Sequence, residues 1–244
     1  MPTLRSLNLA VDLRAEPWRY PGPALPFSAL QVDDHLIALH GAAGEVDRLL
    51  ADMGAAPLAR RALVVGIGSN RCPDVLRRKL AAAGAATVVP TGVGVLHGTD
   101  VGHSAHVSQG GYVAATPFAR RGATAAVTVS ALSAEQLSCL DATEGSYDRR
   151  AVAADRLTLQ QGFPLGDRPL LMYVSRWGVL GDRDRRPLPF GTQDQVLTHL
   201  GELGVVDPQL VGRGAQHTTT ALAADPQLRR EVSERMRPFA RPCT

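Results

Sequence analysis

The sequence has few lysines, aromatic residues and cysteines. Lys79 is the only lysine, so the 26 basic residues are otherwise all arginine. Aromatic residues make up 5% of the 244 positions, which predicts a core of mainly aliphatic side chains. The three cysteines are widely spaced and form no C-x-x-C pair, which argues against a disulfide framework or a zinc knuckle and favours a reducing compartment. They are Cys72, Cys139 and Cys243.

Long apolar runs are also absent. Charged residues interrupt the segment 1–14, and no other window approaches the length needed to span a membrane. The net charge is +3, and the densest arginine cluster, at 183–186, has an acidic residue within it. Such a cluster is typical of a solvated loop rather than of a nucleic-acid-binding stripe. These absences predict a soluble, cytoplasmic protein that has neither a membrane nor a nucleic acid as its partner.

The hydrophobic pattern predicts many short strands and few helices. The length suits one domain with appendages or two small domains. Proline residues predict an irregular segment at 15–27. Strands are predicted at 28–40 (a pair that turns at 33–34), 62–67, 87–96, 104–107, 112–116, 124–132, 150–159 and 169–174, and helices at 45–53, 73–84, 132–144, 193–203 and 226–236. This order favours an α+β fold with a mixed sheet or a small barrel.

A turn of small residues lies between a predicted buried strand and a predicted helix. The run Val64-Val65-Gly66-Ile67-Gly68-Ser69-Asn70 leads into the helix that is predicted to begin at Pro73. Glycine lets a backbone turn tightly and approach a ligand, and the start of a helix leaves N–H groups unpaired. Together these features predict an anion-binding pocket. The alternative is that the small residues serve packing alone, since many strand-to-helix turns carry them.

A second segment ends in an acidic residue. Residues 132–145 are predicted to form a short capped helix that stops at a glycine, with Glu144 as its closing acid. Taken alone, Glu144 would be interpreted as an exposed acid at the end of a helix. Asp141 is interpreted as a structural hydrogen-bonding residue rather than a second catalytic acid. Tyr147 and Arg149 follow, and they either line a site or simply begin a strand.

The two segments and their order resemble the γ-glutamylcyclotransferase-like superfamily. That family carries a strand ending in a Tyr-Gly-Ser-Asn turn, then a glycine-containing strand, then a Leu-Asp-x-x-Glu-Gly segment followed by Tyr and Arg. The matching residues here are Ile67-Gly68-Ser69-Asn70, Gly110-Gly111-Tyr112-Val113-Ala114-Ala115-Thr116-Pro117 and Leu140-Asp141-Ala142-Thr143-Glu144-Gly145-Ser146-Tyr147. The likeness covers residues 62–176, and Ile67 stands where the family has a tyrosine.

The resemblance implies a mixed β-barrel core with appendages on both sides. The core would be residues 61–180, preceded by an N-terminal extension at 1–60 that packs on it and followed by a C-terminal helical extension at 181–244. The implied activity is a cyclotransferase reaction, in which the free α-amine of a γ-glutamyl group attacks its own γ-carbonyl, closes a 5-oxoproline ring and expels the amine partner. The implied partner is a small-molecule substrate, with no metal and no organic cofactor.

By the same resemblance, Glu144 would be the catalytic acid/base, taking a proton from the attacking ammonium and returning it to the leaving amine. The substrate-binding residues would be Ile67, Gly68, Ser69, Asn70 and Tyr147, with backbone N–H groups of the turn holding a carboxylate or an oxyanion. The alternative is a noncatalytic small-ligand-binding or interaction module that keeps the fold. In that module the substitution at Ile67 would mark lost or altered chemistry.

Other motifs favour no further chemistry. His97, His103 and His106 suggest a zinc site, but positions 103 and 106 of a strand point to opposite faces and no ligand set nearby is complete. They are interpreted as structural or surface histidines. Ser69 lacks the Gly-x-Ser-x-Gly context of a hydrolase nucleophile. The turn at 66–71 lacks both the third glycine of a dinucleotide-binding turn and the lysine of a phosphate loop.

Overall fold

The structure, a computed structural model, describes residues 1–42, 44–160, 163 and 168–244. The chain divides into two units, each assembled from three segments. The first unit consists of Met1–Ala10, Pro23–Thr99 and Arg120–Tyr173, and the second of Val11–Gly22, Asp100–Ala119 and Val174–Thr244. The three-part division expected from the sequence, with boundaries after residues 60 and 180, stays a prediction.

The first elements of the chain form close to their predicted bounds. Strands β1 (Ala29–Val32) and β2 (His35–Ala38) make the antiparallel pair that the sequence predicts at 28–40. Helix α1 spans Glu45–Asp52, strand β3 spans Ala62–Gly66 and helix α2 spans Pro73–Ala82. Helix α2 ends where expected because Gly84 adopts a φ of 74°, a left-handed conformation that favours glycine just after a helix.

Two long strands replace four predicted short ones. Strand β4 runs over Val89–Val107 and strand β5 over Val113–Leu132. The sequence predicts breaks after residues 96 and 116, and this prediction is wrong. The backbone continues through Gly98 and Gly122, whose φ angles of 67° and 76° favour glycine. The charged residues near Gly122 are exposed, so they extend the strand into solvent instead of ending it.

The remaining elements of the first unit complete a mixed sheet. Helix α3 spans Ala134–Thr143, and strands β6, β7 and β8 span Tyr147–Val152, Leu157–Leu159 and Leu170–Ser175. A 3₁₀ turn at Ala154–Arg156 divides the single strand predicted at 150–159. Strand β3 pairs antiparallel with β5, with Gly66 opposite Thr128, and parallel with β8. The end of β3 therefore has a strand on each side of it.

The second unit contains the C-terminal helices together with parts of strands β4, β5 and β8. Strands β9 and β10 span Val179–Leu180 and Ala240–Arg241, and helices α4, α5, α6 and α7 span Gln193–Glu202, Pro208–Val211, Ala215–Ala224 and Pro226–Met236. Helices α4 and α7 confirm the sequence prediction, whereas α5 and α6 were not predicted. Threonine is a weak helix former, but Thr218 and Thr219 are buried in α6 and donate hydrogen bonds to the carbonyls of Gly214 and Ala215.

The expected α+β class with a mixed sheet is confirmed, but a closed barrel is not shown. In the described ranges the strand order is β10-β9-β4-β5-β3-β8-β6, with β1, β2 and β7 attached beside β4. The two end strands of this order, β10 and β6, do not pair with each other, so the described sheet is open. Among the helices of these ranges, none combines the length and the hydropathy that crossing a bilayer requires.

Candidate functional site

The turn after β3 folds back tightly against the end of that strand. A 3₁₀ turn at Ser69–Arg71 connects β3 to α2. A Cβ atom placed on Gly66 would lie 2.7 Å from Thr128 Oγ1, 2.8 Å from the carbonyl oxygen of Asn70 and 2.9 Å from the backbone nitrogen of Arg71. These distances are shorter than real Cβ contacts, so the turn can approach the strand only because residue 66 is glycine.

Helices α2 and α3 carry the other side chains of the site on a shared core. Buried residues of β3, α2, β5 and α3 form this core, namely Val64, Leu76, Leu80, Leu132 and Leu140. Helix α3 begins with a capping box in which Ser133 and Gln136 satisfy each other's backbone N–H groups, and it ends at Glu144, its C-terminal cap. The register of α3 is thus fixed at its start, and Glu144 is fixed at its end.

Glu144 lies against the turn, as the sequence analysis required. Its Oε1 accepts hydrogen bonds from Asn70 Nδ2 at 3.1 Å and from Lys79 Nζ at 2.7 Å. It also lies 3.2 Å from Thr143 Oγ1, whose single proton has a closer acceptor in the carbonyl oxygen of Leu140 at 2.8 Å. The side chain of Glu144 is 10% exposed. The structure therefore brings together two of the predicted site residues, Asn70 and Glu144, which are 74 positions apart in the sequence.

Lys79 closes a triangle with these two residues. Its Nζ donates to Asn70 Oδ1 at 2.8 Å as well as to Glu144 Oε1. This contact fixes the orientation of the Asn70 amide, because the oxygen faces the ammonium and the nitrogen faces the carboxylate. Of the two carboxylate oxygens of Glu144, Oε1 accepts from Asn70 and Lys79, whereas no donor in the described part of the chain bonds to Oε2. Oε2 is therefore the oxygen that can exchange a proton with a ligand.

A second polar cluster surrounds Asp141. Its carboxylate accepts a hydrogen bond from the hydroxyl of Tyr173 at 2.6 Å and one from the guanidinium of Arg149. Burial raises the pKa of Tyr173, and the hydrogen bond to Asp141 and the charges of Asp141 and Glu144 raise it further, while Arg149 opposes them. Tyr173 is thus a protonated donor near the site. Asp141 is a hydrogen-bonding residue, as the sequence analysis interpreted it.

The other predicted substrate-binding residues lie in and after the same two segments. Ile67 is buried, and Gly68 and Ser69 are half-buried in the turn. Tyr147 is the first residue of β6, is half-buried and packs against the core described above. Its backbone N–H donates to the carbonyl oxygen of Glu144 at 2.9 Å, so a tight turn connects the candidate acid to the start of β6. The binding roles of these four residues stay predictions.

The start of α2 is less favourable for binding an anion than the sequence predicts. Asp74, in the first turn of α2, is 1% exposed, and its carboxylate accepts hydrogen bonds from Arg77 and Arg78. A buried carboxylate in the first turn already interacts favourably with the positive end of the helix dipole. An incoming anion would meet this negative charge, so backbone groups of the turn itself are the better candidates for holding one.

Three residues of the site were missed by sequence reasoning: Lys79, Thr143 and Tyr173. Lys79 had one available signal, since it is the only lysine of an arginine-rich chain and it follows the turn by nine residues. Tyr173 lies on a predicted strand with nothing in its local pattern to distinguish it. Its proximity to Asp141 depends on the pairing of β8 with β3, which the sequence does not encode locally.

Of the three histidines considered for a zinc site, His103 and His106 are buried, whereas His97 is exposed. His103 accepts a hydrogen bond from the backbone N–H of Gly191 at its Nε2, and burial lowers the pKa of its imidazole to about 4. His106 Nδ1 lies 2.6 Å from Ser104 Oγ, and its ring stacks on Trp177. Within the described ranges, no three His, Cys, Asp or Glu side chains are grouped as a metal site.

Comparison with known proteins gives a distant structural similarity. No family model matches the chain, and no curated protein matches it. Among solved structures, the chain is similar to one described as "Gamma-glutamyl cyclotransferase", with a TM-score of 0.38 and 14% sequence identity. The similarity covers 62% of this chain and 85% of that one. A similarity of this degree assigns neither a family nor an activity.

Proposed function

We propose that the chain is an enzyme of the γ-glutamylcyclotransferase-like kind that acts on a γ-glutamyl amide or a related small amide. The proposal includes a cytoplasmic location and a core of that family's type. The observation that carries it is the contact between Asn70 and Glu144. It places an acidic residue beside a glycine-containing turn, with one carboxylate oxygen held by Asn70 and Lys79.

The reaction needs one proton carrier and a bound geometry. The α-amine nitrogen of the substrate forms a bond to its own γ-carbonyl carbon, and the bond from that carbon to the amide nitrogen breaks. Glu144 Oε2 takes a proton from the attacking ammonium and gives it to the leaving nitrogen. The second proton that the α-nitrogen loses on ring closure passes through the same carboxylate to the released amine, which leaves as an ammonium. The carboxylate thus returns to its starting state and no water is consumed. Because the attack is intramolecular, orientation by the site supplies much of the rate.

The turn would hold the negative charges of the substrate. The backbone N–H groups of Gly68, Ser69 and Asn70 are the proposed donors, either to the substrate carboxylate or to the oxyanion that develops on the γ-carbonyl. Tyr147 is the proposed wall of the pocket, because it follows Glu144 and packs on the core beneath it. Its half-buried ring would cover the apolar part of a bound γ-glutamyl chain.

A second candidate function is a noncatalytic small-ligand-binding or interaction module. Two observations favour it. Ile67, at the position of the family tyrosine, is a buried apolar residue. Glu144 is already paired with Lys79 at 2.7 Å, so its charge is balanced without any ligand. In this case the pocket would bind a small molecule and release it unchanged.

Turnover of γ-glutamyl amines tests the proposal. The purified protein is incubated with a panel of γ-glutamyl amines, and 5-oxoproline is measured against a blank without protein, since some of these compounds cyclise spontaneously. We expect turnover of at least one amine, and we expect Glu144→Gln to lower kcat by about 10²- to 10⁴-fold, the usual contribution of a general acid/base. Glu135→Gln is the matched control, because Glu135 is an exposed acid in the first turn of the same helix.

The outcome separates the two functions. No turnover of any amine, or equal turnover by wild type and Glu144→Gln, contradicts the enzyme. Binding of the same compounds without turnover, measured by isothermal titration calorimetry, would instead support the binding module.

A further inference from the structure

Lys79 has a different partner from the two basic residues that precede it. Arg77 and Arg78 both donate to Asp74 on their own helix, whereas Lys79 reaches the acid that ends α3. Its side chain is 21% exposed, so the pair with Glu144 is largely removed from water. A contact between two helices that is partly shielded from water is stronger and better defined than a surface ion pair.

We propose that Lys79 is a positioning residue of the candidate site, which holds the Glu144 carboxylate charged and turned so that Oε2 faces a ligand. The inference rests on the proposed function for the role of Glu144, but its geometry can be tested without turnover. A carboxylate that is 10% exposed is costly to keep charged unless cations and hydrogen-bond donors compensate for the lost water. Lys79 supplies the one cation bonded to it in the described part of the chain.

The triangle fits an ammonium better than a guanidinium. Lys79 Nζ is a single atom that bonds both Asn70 Oδ1 at 2.8 Å and Glu144 Oε1 at 2.7 Å. Arginine places its donors on a wide planar fork, which suits the two oxygens of one carboxylate. Here the two acceptors belong to different side chains, and Asn70 also donates to Glu144. This requirement gives a physical reason for a lysine at position 79 of a chain whose other basic residues are all arginine.

The ammonium also acts on the proposed proton transfer. While Glu144 is a carboxylate, Lys79 stabilises its charge and so keeps it ready to accept a proton. After Glu144 has accepted a proton, the neighbouring cation favours the return of that proton to the leaving amine. Lys79 itself neither gains nor loses a proton in this sequence, which distinguishes a positioning residue from the acid/base.

A single lysine makes the contact directly measurable. Protein grown with ¹³C,¹⁵N-lysine gives NMR signals from one side chain only, without assignment. In wild type we expect two distinct Cε proton signals, because hydrogen bonds to Asn70 and Glu144 fix the side chain. Glu144→Gln should merge the two signals, whereas Glu135→Gln should leave them distinct. Identical lysine spectra in wild type and Glu144→Gln would overturn the proposal.

Kinetics test whether the contact matters for turnover. We expect Lys79→Met to lower kcat by about 10- to 100-fold, the equivalent of one hydrogen bond to a charged group, with little change in KM. Lys79→Arg should recover only part of kcat, because the planar fork of arginine does not reproduce a single donor atom that bonds two acceptors. Arg48→Met, which removes an exposed charge from α1, is the control.

The two measurements keep the proposals separate. If wild type turns over no amine, the proposed enzyme fails, and the lysine spectra alone decide whether Lys79 holds Glu144. If Lys79→Met turns over substrate at the wild-type kcat, the positioning role is overturned even where the spectra show the ion pair. Because the Glu144→Gln variant retains Lys79, its spectra still test the contact if Lys79→Met does not fold.

Discussion

Replacement of Gly66 by alanine should damage both stability and the candidate site. The added Cβ would be about 0.5–0.7 Å closer to three atoms than the 3.4 Å at which ordinary contact begins. One of these atoms is the Thr128 hydroxyl, and the other two belong to the backbone of Asn70 and Arg71, which cannot rotate away. Gly66 is held in register with Thr128 of β5, so the turn must move instead.

The size of the effect follows from overpacking a buried position. Forcing one extra methyl group into a packed site costs about 1–3 kcal/mol, and two backbone contacts place Gly66→Ala toward the upper end of that range. Displacing the turn also moves Asn70 away from Glu144. Their hydrogen bond is already 3.1 Å long, so a small displacement would break it. We therefore expect a loss of about 2–3 kcal/mol in the free energy of unfolding, together with a lower kcat on any amine that wild type turns over.

Urea unfolding followed by circular dichroism measures the first effect. Gly145→Ala is the control, because a Cβ at Gly145 meets no atom within 4 Å and should change the free energy of unfolding by less than about 0.5 kcal/mol. Thr128→Ala in the Gly66→Ala background removes one of the three close contacts and should restore part of the loss. If Gly66→Ala is as stable as wild type, the described closeness of turn and strand is refuted.

Two further predictions concern buried titratable groups of the chain. Burial lowers the pKa of His103 to about 4, so the imidazole is neutral in the folded protein, whereas in the unfolded chain it takes up a proton near pH 6.5. The free energy of unfolding should therefore fall by about 3 kcal/mol as the pH falls from 6.5 to 4. Urea unfolding should show a shallower pH dependence in His103→Gln, and an unchanged pH dependence would contradict the assignment. Burial raises the pKa of the Cys72 thiol to about 11, so at pH 8 iodoacetamide should alkylate Cys72 after Cys139 and Cys243, as peptide mass spectrometry can show; early modification of Cys72 in folded protein would contradict its burial.

Elements with a strong local signal could be predicted from the sequence. The capping boxes of Ser133 with Gln136 and of Thr192 with Gln195 mark the starts of α3 and α4, and Asp225 before a proline marks the start of α7. Each of these signals lies within four residues, so it depends on no tertiary contact. The predicted turn and the predicted acid were local features of the same kind.

Features that depend on distant pairing could not be predicted. The continuity of β4 through Gly98 is decided by the strands beside it rather than by the residues at 97–103, whose composition is typical of a loop. The contact between Lys79 and Glu144 joins residues 65 positions apart, and no local pattern at either residue predicts the contact. The candidate site was therefore predictable as two separate segments, but its cation was not.

The solitary lysine has a practical consequence for handling this protein. Apart from the amino terminus, Lys79 is the one primary amine in the chain, and it contacts the candidate acid. Amine-directed crosslinkers, fluorescent esters and sensor-chip coupling would therefore modify the candidate site whenever they modify a side-chain amine. Binding studies on this protein need attachment through another chemistry, and partial acylation of Lys79 itself becomes a graded way to perturb the site.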